Sequence, residues 1–386
     1  MIKASPMNFG EKSVELHKKY GGKLEVKPVV KVETRDDLSI AYTPGVAEPC
    51  LAIAKDPALA YELTIKGHTI AVVTDGSAVL GLGNIGSLAS IPVMEGKALL
   101  FKEFGGLDAF PIALDTQNVD EIVETVKRIA PVFGGINLED ISAPRCFEVE
   151  ERLIEALDIP VFHDDQHGTA IVILAGLINA CTVTKRDLKN AKIVFSGSGA
   201  AGTASAKLLR AYGATDITFC DSRGIISSAR ADLNPVKKSF LEWTNKRDTK
   251  GALADALKGA DIFIGVSKAG IVNAEHIKSM AKDPIVFAMA NPDPEIMPDI
   301  AKAAGAAVVA TGRSDFANQV NNLLVFPGLF RGVIDGHIKK ITVEMKLAVA
   351  RALAGYVSNP TADCIIPNPL DKKVASVVAE AVKGVL

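Results

Sequence analysis

Short apolar runs, each closed by a polar or glycine-rich stop, recur along the chain and alternate with longer segments of helical period. Thr69–Thr74, Phe110–Asp115, Phe133–Leu138 and Ile159–Val161 are such runs in the first half; Ile193–Ser196, Ile217–Asp221, Ala260–Ser267, Ile285–Ala290 and Val308–Gly312 are those of the second. They are largely apolar instead of alternating, as suits strands buried on both faces. Between them Glu11–Tyr20, Val93–Phe101, Val119–Arg128, Cys146–Leu157, a helix from Thr169 to about Thr182, and Thr203–Tyr212 read as helices, and the tail from Thr342 reads as closing helices. Pro92 is expected to interrupt the helix pattern after Gly86. Strand and helix in alternation predict an α/β protein with a parallel sheet covered on both sides.

At 386 residues the chain is too long for one typical core. Two domains are expected: an N-terminal α/β substrate domain over 1–160, and a Rossmann-like doubly wound dinucleotide-binding domain with closing helices over 161–386. A net charge of −2 and 5% aromatic residues give neither a polycationic footprint nor stacking platforms, so nucleic acid is not an expected partner. Residues 1–10 lack the apolar core of a signal peptide, and no charge-free run is read as a membrane span. Cys50, Cys146, Cys181, Cys220 and Cys364 show no paired or metal-like spacing, which suits reduced thiols and a cytoplasmic location.

Chemistry gathers where strands stop. Phe162-His163-Asp164-Asp165-Gln166-His167-Gly168-Thr169 places two acids at a strand-to-helix junction, and Glu139-Asp140 is a second acidic pair about 25 residues upstream. One acid is explained as a helix cap. Two adjacent pairs repel unless a cation or proton holds them, so a shared divalent cation is weighed against separate caps and salt bridges. Lys97, on an apolar helix, either snorkels to solvent or, partly buried, has a depressed pKa and accepts a proton. Gly81-Leu82-Gly83-Asn84-Ile85-Gly86 has dinucleotide glycine spacing, but no acidic strand end follows, and a tight turn near substrate is the better reading.

Gly197-Ser198-Gly199-Ala200-Ala201-Gly202 is different. It follows a strand, opens a helix, and is succeeded by a strand ending in Asp221, 22 residues beyond Gly199. That is the full context for a pyrophosphate at a helix N-terminus and an acid on the ribose. Asn291-Pro292-Asp293-Pro294-Glu295 lies at a strand's carboxyl end, and Asn318 to Asn322 is rich in amides, suited to a carboxylate or to plain capping. Tyr42, beside the Pro44-Gly45 turn, reads by itself as amphipathic packing.

Together Tyr42-Thr43-Pro44-Gly45, Gly81-Leu82-Gly83 with Lys97, Glu139-Asp140, the Phe162–Ile178 run, Gly197–Gly202, Asn291-Pro292 and Asn321-Asn322 resemble the malic enzyme family in its short prokaryotic form. The resemblance implies oxidative decarboxylation of malate to pyruvate and CO2. It implies Glu139, Asp140 and Asp165 as ligands of Mg²⁺ or Mn²⁺, Lys97 as general base, Tyr42 as general acid, and Asp164 hydrogen-bonding behind them. Asn291 and Asn322 become substrate amides, with Asn291 also near the cofactor. NAD is the expected cofactor and NADP the alternative, because Arg223 or Arg230, on a mobile-looking loop, could pair with a 2′-phosphate. A homodimer is the expected assembly. Some relatives append a phosphotransacetylase-like domain, for which this chain is expected to be too short. Larger members carry an Arg where this chain has Ala78, leaving the carboxylate-binding group open between the Gly81–Gly86 backbone and the Asn cluster. A malolactic activity and a non-catalytic nucleotide sensor are the rival readings.

Overall fold

The computed structural model describes residues 9–79 and 81–385; Leu80, in the first glycine-rich turn, lies outside them, as do residues 1–8 and Leu386. Two sheets divide the described chain. The first has the order β2-β1-β3-β4, all parallel, from β1 (Thr69–Thr74), β2 (Asp108–Ala113), β3 (Gly135–Leu138) and β4 (Val161–His163). Every residue of β1 and β3 is buried, which accounts for their largely apolar sequence, interrupted in β3 by Asn137. Because all four strands run the same way, their carboxyl ends meet at one edge, and the acids that terminate them arrive there together.

The second sheet has the order β10-β9-β8-β5-β6-β7, from β5 (Lys192–Ser196), β6 (Asp216–Asp221), β7 (Gly224–Ile225), β8 (Ile262–Gly265), β9 (Ile285–Ala288) and β10 (Val308–Thr311). All neighbours are parallel except the short edge strand β7. The strand order reverses between β5 and β8, the switch point at which open α/β sheets receive ligands. The expected α/β architecture with a Rossmann-like second sheet is present.

The Asp164–Thr184 helix links the sheets. It begins five residues before the expected Thr169, so Asp164 and Asp165 occupy its first turn instead of a preceding loop. Contrary to the reading of the sequence, it is long and apolar enough to cross a membrane, with mean hydropathy 1.5, yet 67% of it is buried inside the protein. An all-round apolar helix is here a core helix, packed between the Ala200–Tyr212 and Val343–Tyr356 helices. Its buried Asn179 donates to the carbonyls of Ala354 and Ile365, both at 2.9 Å, tying it to the closing segment.

Pro92 does not break its helix, which runs unbroken over Ser87–Gly105. Proline there forfeits only the bond to the Leu88 carbonyl, and Leu88 is on the solvent side, so the lost bond is not a buried one. The N-terminal helices Phe9–Tyr20, Arg35–Ala41 and Ala47–Lys55 bury no residue at all. Phe9, Val14, Leu16, Tyr20, Val26, Val30 and Ile40 are among the large apolar side chains that this arm exposes.

Candidate active site

Three strand ends of the first sheet build the site. At the end of β1, Gly76 (φ +67°) accepts the N–H groups of Ile85 and Gly86, both at 3.1 Å, folding 76–86 back on itself. A Cβ at Gly76 would meet the Gly86 carbonyl carbon at 2.3 Å, and one at Gly81 would lie 2.2 Å from the Asn291 carbonyl oxygen. This tight turn therefore brings the first sheet against the Asn291 loop of the second.

At the end of β3, Asp140 is a non-glycine residue in the left-handed region (φ +55°), a conformation costing about 1–2 kcal/mol. There its N–H donates to Asp165 Oδ2 (2.8 Å) and its carbonyl accepts from Ala78 N–H (2.9 Å). Carboxylate oxygens of Glu139, Asp140 and Asp165 lie within 4.8 Å of one another. Three convergent oxygen donors fit a hard divalent cation such as Mg²⁺ or Mn²⁺ and not a soft-ligand metal.

Lys97 closes the inner side. Its Nζ is 2.6 Å from Asp164 Oδ2, 2.9 Å from Glu139 Oε1 and 4.2 Å from the centre of the Phe326 ring. All three side chains are buried. Glu139 also accepts from Asn137 Nδ2 at 2.9 Å. Burial drives the Glu139 carboxyl up to about 7 and that of Asp164 to about 7, with Lys97 opposing in both. Asp165, a third of whose side chain is exposed, is raised less, to about 6. Such carboxylates lack positive charge, which a divalent cation would supply.

The expectation of a depressed Lys97 is corrected. Burial alone would lower its pKa, but Asp164 and Glu139 outweigh burial and raise it well above the ordinary lysine range. As described, Lys97 is a firmly held ammonium. That hold weakens where a cation or protons take over the charge of Asp164 and Glu139.

Asn322 lies beside Asp164: a Cβ on Gly168 would fall 1.9 Å from Asp164 Oδ1 and 3.1 Å from Asn322 Cβ, so only glycine fits between them. Asn291 is close to Gly312, whose Cβ would stand 3.3 Å from Asn291 Nδ2. Tyr42 is not among these groups. It is 67% exposed on the N-terminal arm, and its hydroxyl has no hydrogen-bond partner among the described residues.

In the second sheet, Gly197 (φ +116°) donates to the Cys220 carbonyl, and a Cβ on Gly202 would lie 2.1 Å from the Gly197 carbonyl oxygen. The Gly197-Ser198-Gly199-Ala200-Ala201-Gly202 turn thus delivers the free N–H groups of the Ala200–Tyr212 helix to the β5 end. Asp221 ends β6 as expected, but its oxygens are occupied. Arg230 grips it with Nη1 and Nη2 at 2.7 and 3.1 Å, and Lys237 at 2.6 Å. The reading of Arg230 as a mobile-loop residue is overturned. Its side chain is 12% exposed and is also paired with Asp232.

Glu150 and Arg145 escaped the sequence, and Glu295 is read there only as the end of the Asn291 loop. Glu150 accepts from the His163 N–H (3.0 Å), Gln166 Nε2 (3.0 Å) and His167 Nε2 (2.9 Å), clamping the first turn that carries Asp164 and Asp165. Glu295, fully buried, accepts from Ser267 N–H (2.9 Å) and Ala290 N–H (3.0 Å) and pins the Asn291 loop beneath β8. Arg145 pairs with Asp75 at 2.9 Å. Nothing in their local sequence marks them, since each partner is brought by the fold.

Family models for the malic enzyme N-terminal domain and the malic enzyme NAD binding domain match residues 21–154 and 166–385. The chain belongs to the malic enzyme family. A bifunctional malic/malolactic enzyme of Bacillus subtilis is 56% identical, over 97% of this chain and 92% of the relative. An NAD-dependent malic enzyme of Geobacillus stearothermophilus is 54% identical, over 97% of this chain and 78% of that one. The crystal structure of an NAD-dependent malic enzyme from Thermotoga maritima superposes with a TM-score of 0.93 at 46% identity, covering 96% of this chain and 98% of that one. A malic enzyme from Pyrococcus horikoshii gives 0.93 at 48% identity, covering 98% and 90%.

Proposed function

We propose that this member of the malic enzyme family oxidises malate with a nicotinamide nucleotide and decarboxylates the product to pyruvate and CO2. The observation that carries the reading is Lys97 wedged between Asp164 and Glu139, with Glu139 shared by the three-carboxylate cluster. A Mg²⁺ or Mn²⁺ ion held by Glu139, Asp140 and Asp165 supplies Lewis-acid polarisation of the substrate's oxygens. Lys97 exchanges a proton with the C2 hydroxyl, and Asp164, 2.6 Å away, fixes its direction. Asn291 and Asn322 hold substrate by their amides, and Tyr42 returns a proton to C3 of enolpyruvate. The substrate part extends through β4, which ends at His163 in the first sheet and so carries the expected boundary past 160, and the nucleotide part follows, with the Gly197–Gly202 turn receiving the pyrophosphate.

NAD is the proposed principal cofactor, with Asp221 facing the ribose. Arg230 and Lys237 cancel much of that carboxylate's repulsion, so NADP is a weaker second substrate. A homodimer is proposed on separate grounds. The arm that exposes Phe9, Leu16, Tyr20 and Val26 also carries Tyr42, and a second copy would cover the apolar surface that this chain leaves bare. A cytoplasmic setting suits the five free cysteines. The test is Mn²⁺ titration of Asp165→Asn beside the unchanged protein: the reading expects at least tenfold weaker Mn²⁺ binding and loss of malate turnover with the fold retained. Unaltered Mn²⁺ affinity would overturn the ligand set.

A further inference from the structure

Where larger relatives are expected to carry an arginine, this chain has Ala78, so its β1 turn brings no cation of its own. The cation balance makes that gap costly. Glu139 and Asp164 share the Lys97 ammonium while Glu139, Asp140 and Asp165 converge, and one ammonium with a divalent cation would still leave these four carboxylates net negative before a dianionic substrate enters.

The fold returns a guanidinium to the same turn from another element. Arg145 opens the Arg145–Ala156 helix, and its Nη2 lies 2.9 Å from Asp75 Oδ2 and 3.4 Å from Gln117 Oε1. Asp75 is buried and committed on its other side: Oδ1 accepts from Ser77 N–H at 2.9 Å and from the Ser77 hydroxyl at 2.5 Å. Ser77 Oγ accepts from Ser142 N–H (2.9 Å), and Ala78 N–H donates to the Asp140 carbonyl (2.9 Å). The turn that anchors Arg145 is therefore stitched directly to the residue that contributes a metal-site carboxylate.

Arg145 is not used up by this anchoring. Both of its hydrogen bonds leave from one nitrogen, its Nε is buried without a partner, and 30% of the side chain remains exposed. A guanidinium has five donors in a planar fork. Held from beneath by Asp75, it is pre-oriented to offer its terminal Nη edge to a carboxylate, which a lysine could not do in two-pronged fashion.

We propose that Arg145 binds a carboxylate of the dicarboxylate substrate and takes the place left empty at Ala78. This rests on the malate reading of the site. The probe is oxalate, a dicarboxylate that cannot be turned over, titrated into the full-length protein loaded with Mn²⁺ and NAD. Arg145→Gln should weaken oxalate binding and raise the malate KM by about 10- to 100-fold, the range for losing hydrogen bonds to a charged group, while kcat changes far less. Mn²⁺ affinity should stay within about twofold. Arg145→Lys, which keeps the charge and the Asp75 pair but loses the fork, should fall between. Unchanged oxalate binding in both variants would overturn the proposal. So would Mn²⁺ affinity lost in step with oxalate affinity, which would make Arg145 a brace for the Asp140 turn. If the unaltered protein binds oxalate but does not oxidise malate, the malate reading fails, and the oxalate titrations still decide Arg145.

Discussion

Replacing Lys97 with methionine keeps the apolar stem and removes the one charge that Asp164 and Glu139 share. Both carboxylates are buried, with side-chain exposures of 0% and 5%. Removing one partner of a buried ion pair costs about 3–5 kcal/mol, because the remaining charge is left uncompensated. The pKa shift of Glu139 gives the sign, and part of the burial cost is already present in the unchanged protein. Glu139 is already raised from 4.5 to about 7 while Lys97 is present, and a carboxyl so raised gives up about 3 kcal/mol once pH exceeds its folded value. Between the unfolded and folded values the folded state binds more protons, so stability falls as pH rises through that window. Without Lys97 the folded value moves higher and the window widens. In EDTA, Lys97→Met should match the unchanged protein near pH 5 and lie roughly 10 °C below it in Tm at pH 8. Mn²⁺ should recover most of the deficit at pH 8, and should raise the variant's Tm more than that of the unchanged protein. The measurement is thermal unfolding followed by circular dichroism across that pH range, with EDTA or Mn²⁺. Equal Tm values at pH 8 in EDTA would refute the claim that these carboxylates depend on Lys97 for their charge balance.

Two other outcomes follow from where Tyr42 and Arg230 stand. If a second copy brings Tyr42 to the Lys97 cluster, Tyr42→Phe and Lys97→Met are each inactive alone, and their equal mixture after subunit exchange recovers about a quarter of the unchanged activity, since half the dimers are mixed and each holds one intact site; no recovery in verified mixed dimers would place both groups in one chain. Arg230→Gln should lower kcat/KM for NADP by at least tenfold and that for NAD by much less, whereas equal losses would mean that Arg230 only supports Asp221.

The α/β rhythm was legible because parallel strands buried on both faces are largely apolar, and the centres of β1, β5 and β9 are. The glycine turn at Gly197 and the acid pairs were legible because backbone space and charge repulsion act locally. Lys97 was not, because its protonation is set by Asp164, 67 residues away in sequence. Glu150 reads as a surface acid of an amphipathic helix until β4 and the Asp164–Thr184 helix pack over it. Asp221 ends its strand where expected, but Lys237, 16 residues on, reaches its carboxylate only through the folded β7 segment and the helix after it. Pro92 misled because a helix tolerates a missing donor on its wet side.

The central claim is that oxidation of malate and loss of CO2 are joined at the Glu139–Asp140–Asp165 site. The most direct measurement supplies uniformly carbon-13-labelled malate with Mn²⁺ and NAD and follows reduced cofactor, CO2 and the three-carbon product together by absorbance and NMR. The account predicts reduced cofactor, labelled CO2 and labelled pyruvate in equal amounts, all abolished by Asp165→Asn. Labelled lactate with no net reduced cofactor, or oxaloacetate released without CO2, would contradict it.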